Sequence, residues 1–139
     1  MLTYNDRILD ARVQNSSEEI LIPQDGIVLH PDTVYLGVTE EYTEVHCHVP
    51  FLEGITSVAR LGINVNSSSG KGSIGHANTW TIEISVVQPV RVYHGMPIAQ
   101  LIFFNIDGEI DAGYDHIKKS KYRKRSVKPV ESMMWKNNF

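Results

Sequence analysis

The sequence predicts an all-β protein, a sandwich or barrel of short strands. Runs rich in β-branched and aromatic residues recur at intervals of about 8–12 residues. Turn residues punctuate them. Residues 79–87 (TWTIEISVV) alternate cleanly, with Trp80, Ile82, Ile84 and Val86 on one side and Thr81, Glu83 and Ser85 on the other, as a strand with one buried face requires.

The other elements follow in order. Residues 20–22 and 27–29 are short aliphatic runs flanking Pro23-Gln24-Asp25-Gly26, a turn signal. Residues 33–39 (TVYLGVT) and 42–51 (YTEVHCHVPF) read as strands. Residues 56–61 (TSVARL) suggest a single helical turn. Residues 67–73 (SSSGKGS) read as a flexible polar loop. Residues 90–93 and 98–104 read as strands joined through His94-Gly95-Met96-Pro97. After Asn105 the chain turns polar and then basic, with no second apolar stretch to bury. The expected division is therefore a β-barrel domain over 1–112 and a basic C-terminal arm, or lid, over 113–139.

The chain of 139 residues is 42% hydrophobic and 21% charged, enough for one core and too short for two ordinary domains. No apolar run approaches the roughly 20 residues of a membrane-spanning helix, and the N-terminus carries no apolar signal core. A lone cysteine, Cys47, excludes an intramolecular disulfide framework and fits a reducing compartment. These features lead to the expectation of a soluble, cytoplasmic protein. Charge is uneven: residues 1–117 hold 5 Lys+Arg against 15 Asp+Glu, and residues 118–139 hold 8 against 1. A basic tail suits a phosphate-bearing partner; it also suits a solvated chain end.

Several chemistries lack their residues. A P-loop needs Ser or Thr after its Gly-Lys and a glycine five residues earlier, whereas Gly70-Lys71 precedes Gly72. In a strand, His46 and His48 would share a face and Cys47 would oppose them, and two ligands do not close a zinc site. No metal-binding residues are therefore assigned. The zinc-dependent nucleobase deaminases need further thiolates that a single cysteine cannot supply. No G-x-S-x-G elbow is present. Tyr114, Tyr122 and Trp135 interleave only thinly with the tail's basic residues, so no stable nucleic-acid partner is expected. Glu83, alone on an otherwise apolar-backed strand, is by itself an ordinary solvated-face residue.

Its standing changes with Gly54-Ile55-Thr56-Ser57-Val58-Ala59-Arg60-Leu61-Gly62, then Thr81-Ile82-Glu83, then Gly95-Met96-Pro97-Ile98-Ala99-Gln100-Leu101. In this order and spacing the chain resembles the dCTP deaminase branch of the dCTP deaminase/dUTPase superfamily, over about residues 33–135. The resemblance implies a distorted jelly-roll and a homotrimer with active sites between subunits. It also implies a C-terminal arm that folds over bound nucleotide. Glu83 is then the general base on the water that attacks C4 of cytosine, Thr56 helps hold that water, and Arg60 assists at the base-binding end. Ser57, Ser69 and Lys71 fall among the nucleotide contacts, as do Tyr114, Lys121 and Arg125 of the lid-like stretch. The substrate is a deoxynucleoside triphosphate, with magnesium carried on its oxygens.

The chain departs from the pattern in places. The motif's first arginine is Ile55, the aspartate of the family's I-D-P-G segment is Ser73, and the lid's closing glutamine is Arg125, a candidate to replace the missing cation. Much of the family's N-terminal region has no counterpart. The expected reaction is hydrolytic deamination of dCTP to dUTP with release of ammonia. The alternatives are a dUTP diphosphatase, which lacks its usual aspartate here, and a nucleotide-binding relative without catalysis.

Overall fold

A computed structural model describes residues 1–116, 120–122 and 124–137. Eleven strands run in chain order: β1 (Leu2–Tyr4), β2 (Ser17–Glu19), β3 (Ile27–Leu29), β4 (Tyr35–Val38), β5 (Thr43–Val45), β6 (Val49–Gly54), β7 (Ile63–Val65), β8 (His76–Asn78), β9 (Thr81–Val86), β10 (Val90–Val92) and β11 (Ala99–Phe104). One helical turn, α1 (Thr56–Ala59), follows β6, and 3-10 turns occur at Tyr114–His116 and Met134–Lys136. A five-stranded antiparallel sheet has the order β2-β1-β4-β9-β7, and β3–β10, β6–β11 and β5–β8 form two-stranded antiparallel pairs. The architecture is all-β and jelly-roll-like.

The alternation of β9 does what the sequence predicts. Ile82, Ile84 and Val86 are at most 5% exposed and join Leu29, Leu52 and Ile63 in the core, each buried aliphatic side chain contributing about 1.5–3 kcal/mol. The opposite face of β9, with Thr81 and Glu83, turns outward into a cavity.

Three local expectations need correction. Residues 20–22 are not a strand; the strand is Ser17–Glu19, because β1 takes its register from Leu2↔Glu19 to Tyr4↔Ser17. The stretch 42–51 is broken rather than continuous: His46, Cys47 and His48 form a bend between β5 and β6, so the two histidines do not share a strand face, and His46 lies 3.6 Å from Glu44.

The third concerns the loop 67–73, which is pinned rather than flexible. The Leu52 N–H donates to the Gly70 carbonyl at 2.8 Å, and the Gly72 N–H donates to that of Pro50 at 2.8 Å. A Cβ on Gly72 would lie 2.4 Å from the Trp80 ring and 2.8 Å from Pro50 Cγ, so the glycine answers to close packing. Gly72→Ala is expected to cost about 1–3 kcal/mol by overpacking. Chemical denaturation measures it, and an unchanged midpoint would show that Trp80 and Pro50 give way freely.

Described residues after Asn105 pack back on the barrel. Tyr114 N–H donates to the Ile74 carbonyl at 2.6 Å. Ser126 N–H donates to Asn78 Oδ1 at 3.2 Å, while Thr79 Oγ1 donates to the Ser126 carbonyl at 2.5 Å. Val130 N–H donates to Thr81 Oγ1 at 3.0 Å and Ser132 N–H to the Tyr4 hydroxyl at 3.1 Å. Pro129 is buried. Basic though it is, this segment hydrogen-bonds through its described residues Ser126, Val130 and Ser132 to Asn78 and Thr79, to β9 and to β1.

Candidate active site

Glu83 stands at the centre of β9, between β4 and β7. Its strand is fixed from both sides. Across β4 it is paired with Leu36, whose apolar side chain therefore lies beside the carboxylate on the same face. On the β7 side, pairing runs from Ile63↔Val86 to Val65↔Ile84 and would end one residue short of Glu83. Asn66 completes it: the Glu83 N–H donates to Asn66 Oδ1 at 2.8 Å, and the Asn66 N–H donates to the Glu83 carbonyl at 2.9 Å. Asn66 has φ +44°, a left-handed conformation that asparagine tolerates better than most residues. The carboxylate thus projects from a backbone held by hydrogen bonds on both edges.

The cavity around it has a volume of about 520 Å³, the size of a small-ligand site. Its wall combines apolar Val34, Leu36 and Trp80 with Ser68, Ser69 and Ser73 and with the basic residues Lys71 and Lys128. Glu83 is the one carboxylate among the described residues lining it. Partial burial raises its pKa above the usual carboxylate range, and a hydrogen bond from its own backbone N–H opposes part of that rise. A carboxylate whose proton affinity is raised this way is a stronger base.

His76 shapes the same wall. Its ring stacks on Trp80 with centroids 4.3 Å apart, and its backbone N–H donates to the Ser73 carbonyl at 3.1 Å, closing a turn through Gly75 at φ +82°. Burial lowers the imidazole pKa, opposed by a bond to the Asn78 backbone, and so favours the neutral ring. Its Nε2 is buried without a hydrogen-bond partner.

The expected site residues divide into two groups. Glu83, Ser69, Lys71 and Tyr114 line the cavity together. Thr56, Ser57 and Arg60 do not: α1 packs on the core through Val58 and exposes those three side chains. Ile55, in place of the motif arginine, packs against the core at the start of that turn. Lys121 is half-buried beside the cavity-lining Tyr122 without lining the cavity itself. Arg125 does not supply a replacement cation inside the cavity; its guanidinium lies 4.7 Å from the centre of the Tyr42 ring.

Sequence reasoning missed Asn66, His76 as a ring stacked into the wall, and the contribution of Tyr122, Ser126, Lys128, Val130 and Ser132 to it. An asparagine opening a Ser-Gly loop was the available signal for the first. The arm's contacts join residues 46–49 positions apart and have no local signature.

Among the described residues no helix is long and apolar enough to cross a membrane. The dCTP deaminase-like family model matches residues 2–106. The chain is 40% identical over 138 residues to the "dCTP deaminase, dUMP-forming" of Clostridium botulinum strain Alaska E43, covering 99% of this chain and 76% of the relative. It is 36% identical to the protein of that name in Clostridium acetobutylicum and 38% identical to that of Leptospira biflexa strain Patoc 1, with the same coverage. The names of these relatives give dUMP as their product, whereas the motifs of this chain led to the expectation of dUTP. With the match running through the whole Glu83 strand and the relatives aligned over nearly the full sequence, the chain belongs to the dCTP deaminase-like family.

Proposed function

We propose that this protein is a hydrolase that converts dCTP to dUMP, ammonia and pyrophosphate, with Glu83 as the base. The observation that carries the reading is the Glu83 carboxylate itself. It is fixed on a strand clamped from both edges, raised in pKa by burial, and alone of its kind among the described cavity residues. A base of this sort takes a proton from water as the oxygen attacks C4 of cytosine. Delivering that proton to the amino nitrogen, while the proton of the new C4 hydroxyl ends on N3, lets ammonia leave and the C4 carbonyl form. One water is consumed and dUTP results. A second water attacking between the α- and β-phosphates gives pyrophosphate and dUMP, the product in the names of the relatives.

The same composition supports the second step. Lys71 and the hydroxyls of Ser69 and Tyr114 suit a polyphosphate, since ammonium groups form charge-assisted hydrogen bonds with phosphate oxygens. Magnesium enters on the triphosphate; among the described residues no three His, Cys, Asp or Glu side chains converge to hold a resident ion. Thr56, Ser57 and Arg60 are exposed and do not line their own chain's cavity. Their place on this reading is the cavity of a neighbouring copy in a homotrimer, where Thr56 holds the attacking water and Arg60 the base. Lys121 and Arg125 serve by seating the arm over the nucleotide.

The test is incubation with dCTP and magnesium. Equal release of ammonia and pyrophosphate with dUMP as the nucleotide product is expected. Accumulation of dUTP would confine the protein to deamination, and unchanged dCTP would sink the reading. Truncation after Asp111 removes Tyr114, Tyr122, Ser126, Lys128, Val130 and Ser132 from the cavity wall. It is expected to weaken nucleotide binding by about tenfold or more. Equal affinity in the truncated chain would mean the arm is no part of the site.

A further inference from the structure

We propose that Lys128 is a polyphosphate-binding residue and that Glu19 is its built-in competitor, holding the ammonium until nucleotide arrives. The inference rests on the nucleotide reading above and adds a residue and a control to it.

Lys128 lines the cavity, yet its Nζ donates to Glu19 Oε2 at 2.7 Å. Glu19 ends β2, the edge strand of the sheet, two strands away from β4 and its Leu36. The two side chains are 66% and 43% exposed, and an ion pair so open to water contributes little to stability. A pair of this kind is exchanged at small cost. The Lys128 ammonium holds the Glu19 pKa below the usual carboxylate range, so Glu19 stays charged and competes throughout the neutral range.

The backbone on either side of Lys128 does not share this freedom. Its N–H donates to Ser126 Oγ at 3.1 Å, and Ser126 Oγ donates to the Lys128 carbonyl at 2.7 Å. Pro129 is buried, and Val130 N–H is fixed to Thr81 Oγ1, two residues from Glu83 on the same strand face. The tether is rigid and the four-carbon stem is not. Exchange from carboxylate to phosphate therefore needs rotation of one side chain and no movement of the arm. A triphosphate offers several charged oxygens against one carboxylate, and a monophosphate fewer. The exchange accordingly favours the triphosphate substrate over a monophosphate product.

Calorimetric titration tests it in the full chain carrying Glu83→Gln, so that dCTP persists. Five proteins are compared: this parent, and the parent with Glu19→Gln, with Lys128→Gln, with both, and with Lys128→Arg. Glu19→Gln is expected to tighten dCTP binding by about threefold to tenfold, and Lys128→Gln to weaken it by about tenfold. Both effects should be smaller for dUMP. In the Lys128→Gln background Glu19→Gln should have no effect, and Lys128→Arg should retain most of the affinity. Tightening by Glu19→Gln that persists without Lys128 would overturn the proposal, because the acid would then act as a diffuse repulsive charge. Equal weakening of dCTP and dUMP by Lys128→Gln would overturn it too, since the lysine would then support only the arm. Normal dCTP turnover and binding without this coupling would reject the exchange and leave the deaminase reading intact. A wild-type chain that neither binds nor turns over dCTP would reject both.

Discussion

Glu83→Gln is expected to abolish ammonia release while leaving the protein at least as stable at neutral pH as the wild type. A positioned general base contributes about 10²–10⁴-fold to rate, and no second carboxylate among the described residues of the cavity stands ready to take over. The stability half follows from the direction of the pKa shift. Burial raises the folded-state pKa of Glu83 above its ordinary value, so the folded chain holds this proton more tightly than the unfolded chain. The resulting stabilisation is present at pH below the unfolded value and is lost as pH rises through the folded pKa. At neutral pH the ionised carboxylate is a cost, which an isosteric amide removes. Melting temperatures of the two proteins should converge in acid and separate toward neutrality, with the variant higher. The same shift sets the acid limb of the rate profile. Activity should rise with pH through the folded pKa of Glu83, above the range of an ordinary glutamate. A variant that still releases ammonia would remove Glu83 as base, and one that melts lower at pH 7 than in acid relative to wild type would reverse the electrostatic argument.

Glu83 was legible because β9 is long for this fold and one of its faces is unbroken. Six residues alternating against a core leave the outward positions no ambiguity, and the surrounding motifs then marked the acid among them. Other strands carried no such signal. β1, β7 and β8 are three residues each, too short for a period of two to show. His76–Asn78 is largely polar because its outer face lies under the arm, through Asn78. The aliphatic run at 20–22 misled for a related reason. Its Leu21 is 81% exposed, whereas the paired residues Ser17–Glu19 look like loop in the sequence and become a strand only because β1 offers them hydrogen bonds. The clamp of Asn66 on Glu83 spans 17 residues and that of Thr81 on Val130 spans 49. Local preference does not encode such contacts; the assembled sheet does.

The division of the candidate site into two surfaces leads to the second large effect. Arg60→Ala and Glu83→Gln, each inactive alone, are expected to recover activity when the two proteins are unfolded together and refolded as mixed oligomers. Glu83 lines the cavity of its own chain, while Thr56, Ser57 and Arg60 stand exposed on a turn anchored by Val58 and Ile55. On the proposed homotrimer reading, those side chains reach a base bound near Glu83 from another copy. In a random mixture of equal parts, a site joining two copies draws an intact Glu83 from the Arg60→Ala chain and an intact Arg60 from the Glu83→Gln chain. About one site in four is then complete, given a closed symmetric ring with one kind of interface. Recovery of about a quarter of wild-type turnover, rising from none in either parent, would establish sites shared between subunits. No recovery, with mixed oligomers confirmed by mass spectrometry, would confine the chemistry to a single chain and return Arg60 to the role of a surface residue. The arithmetic makes the outcome sharp, because a site built within one chain gives no recovery in any mixture: every chain present lacks one of its two essential side chains.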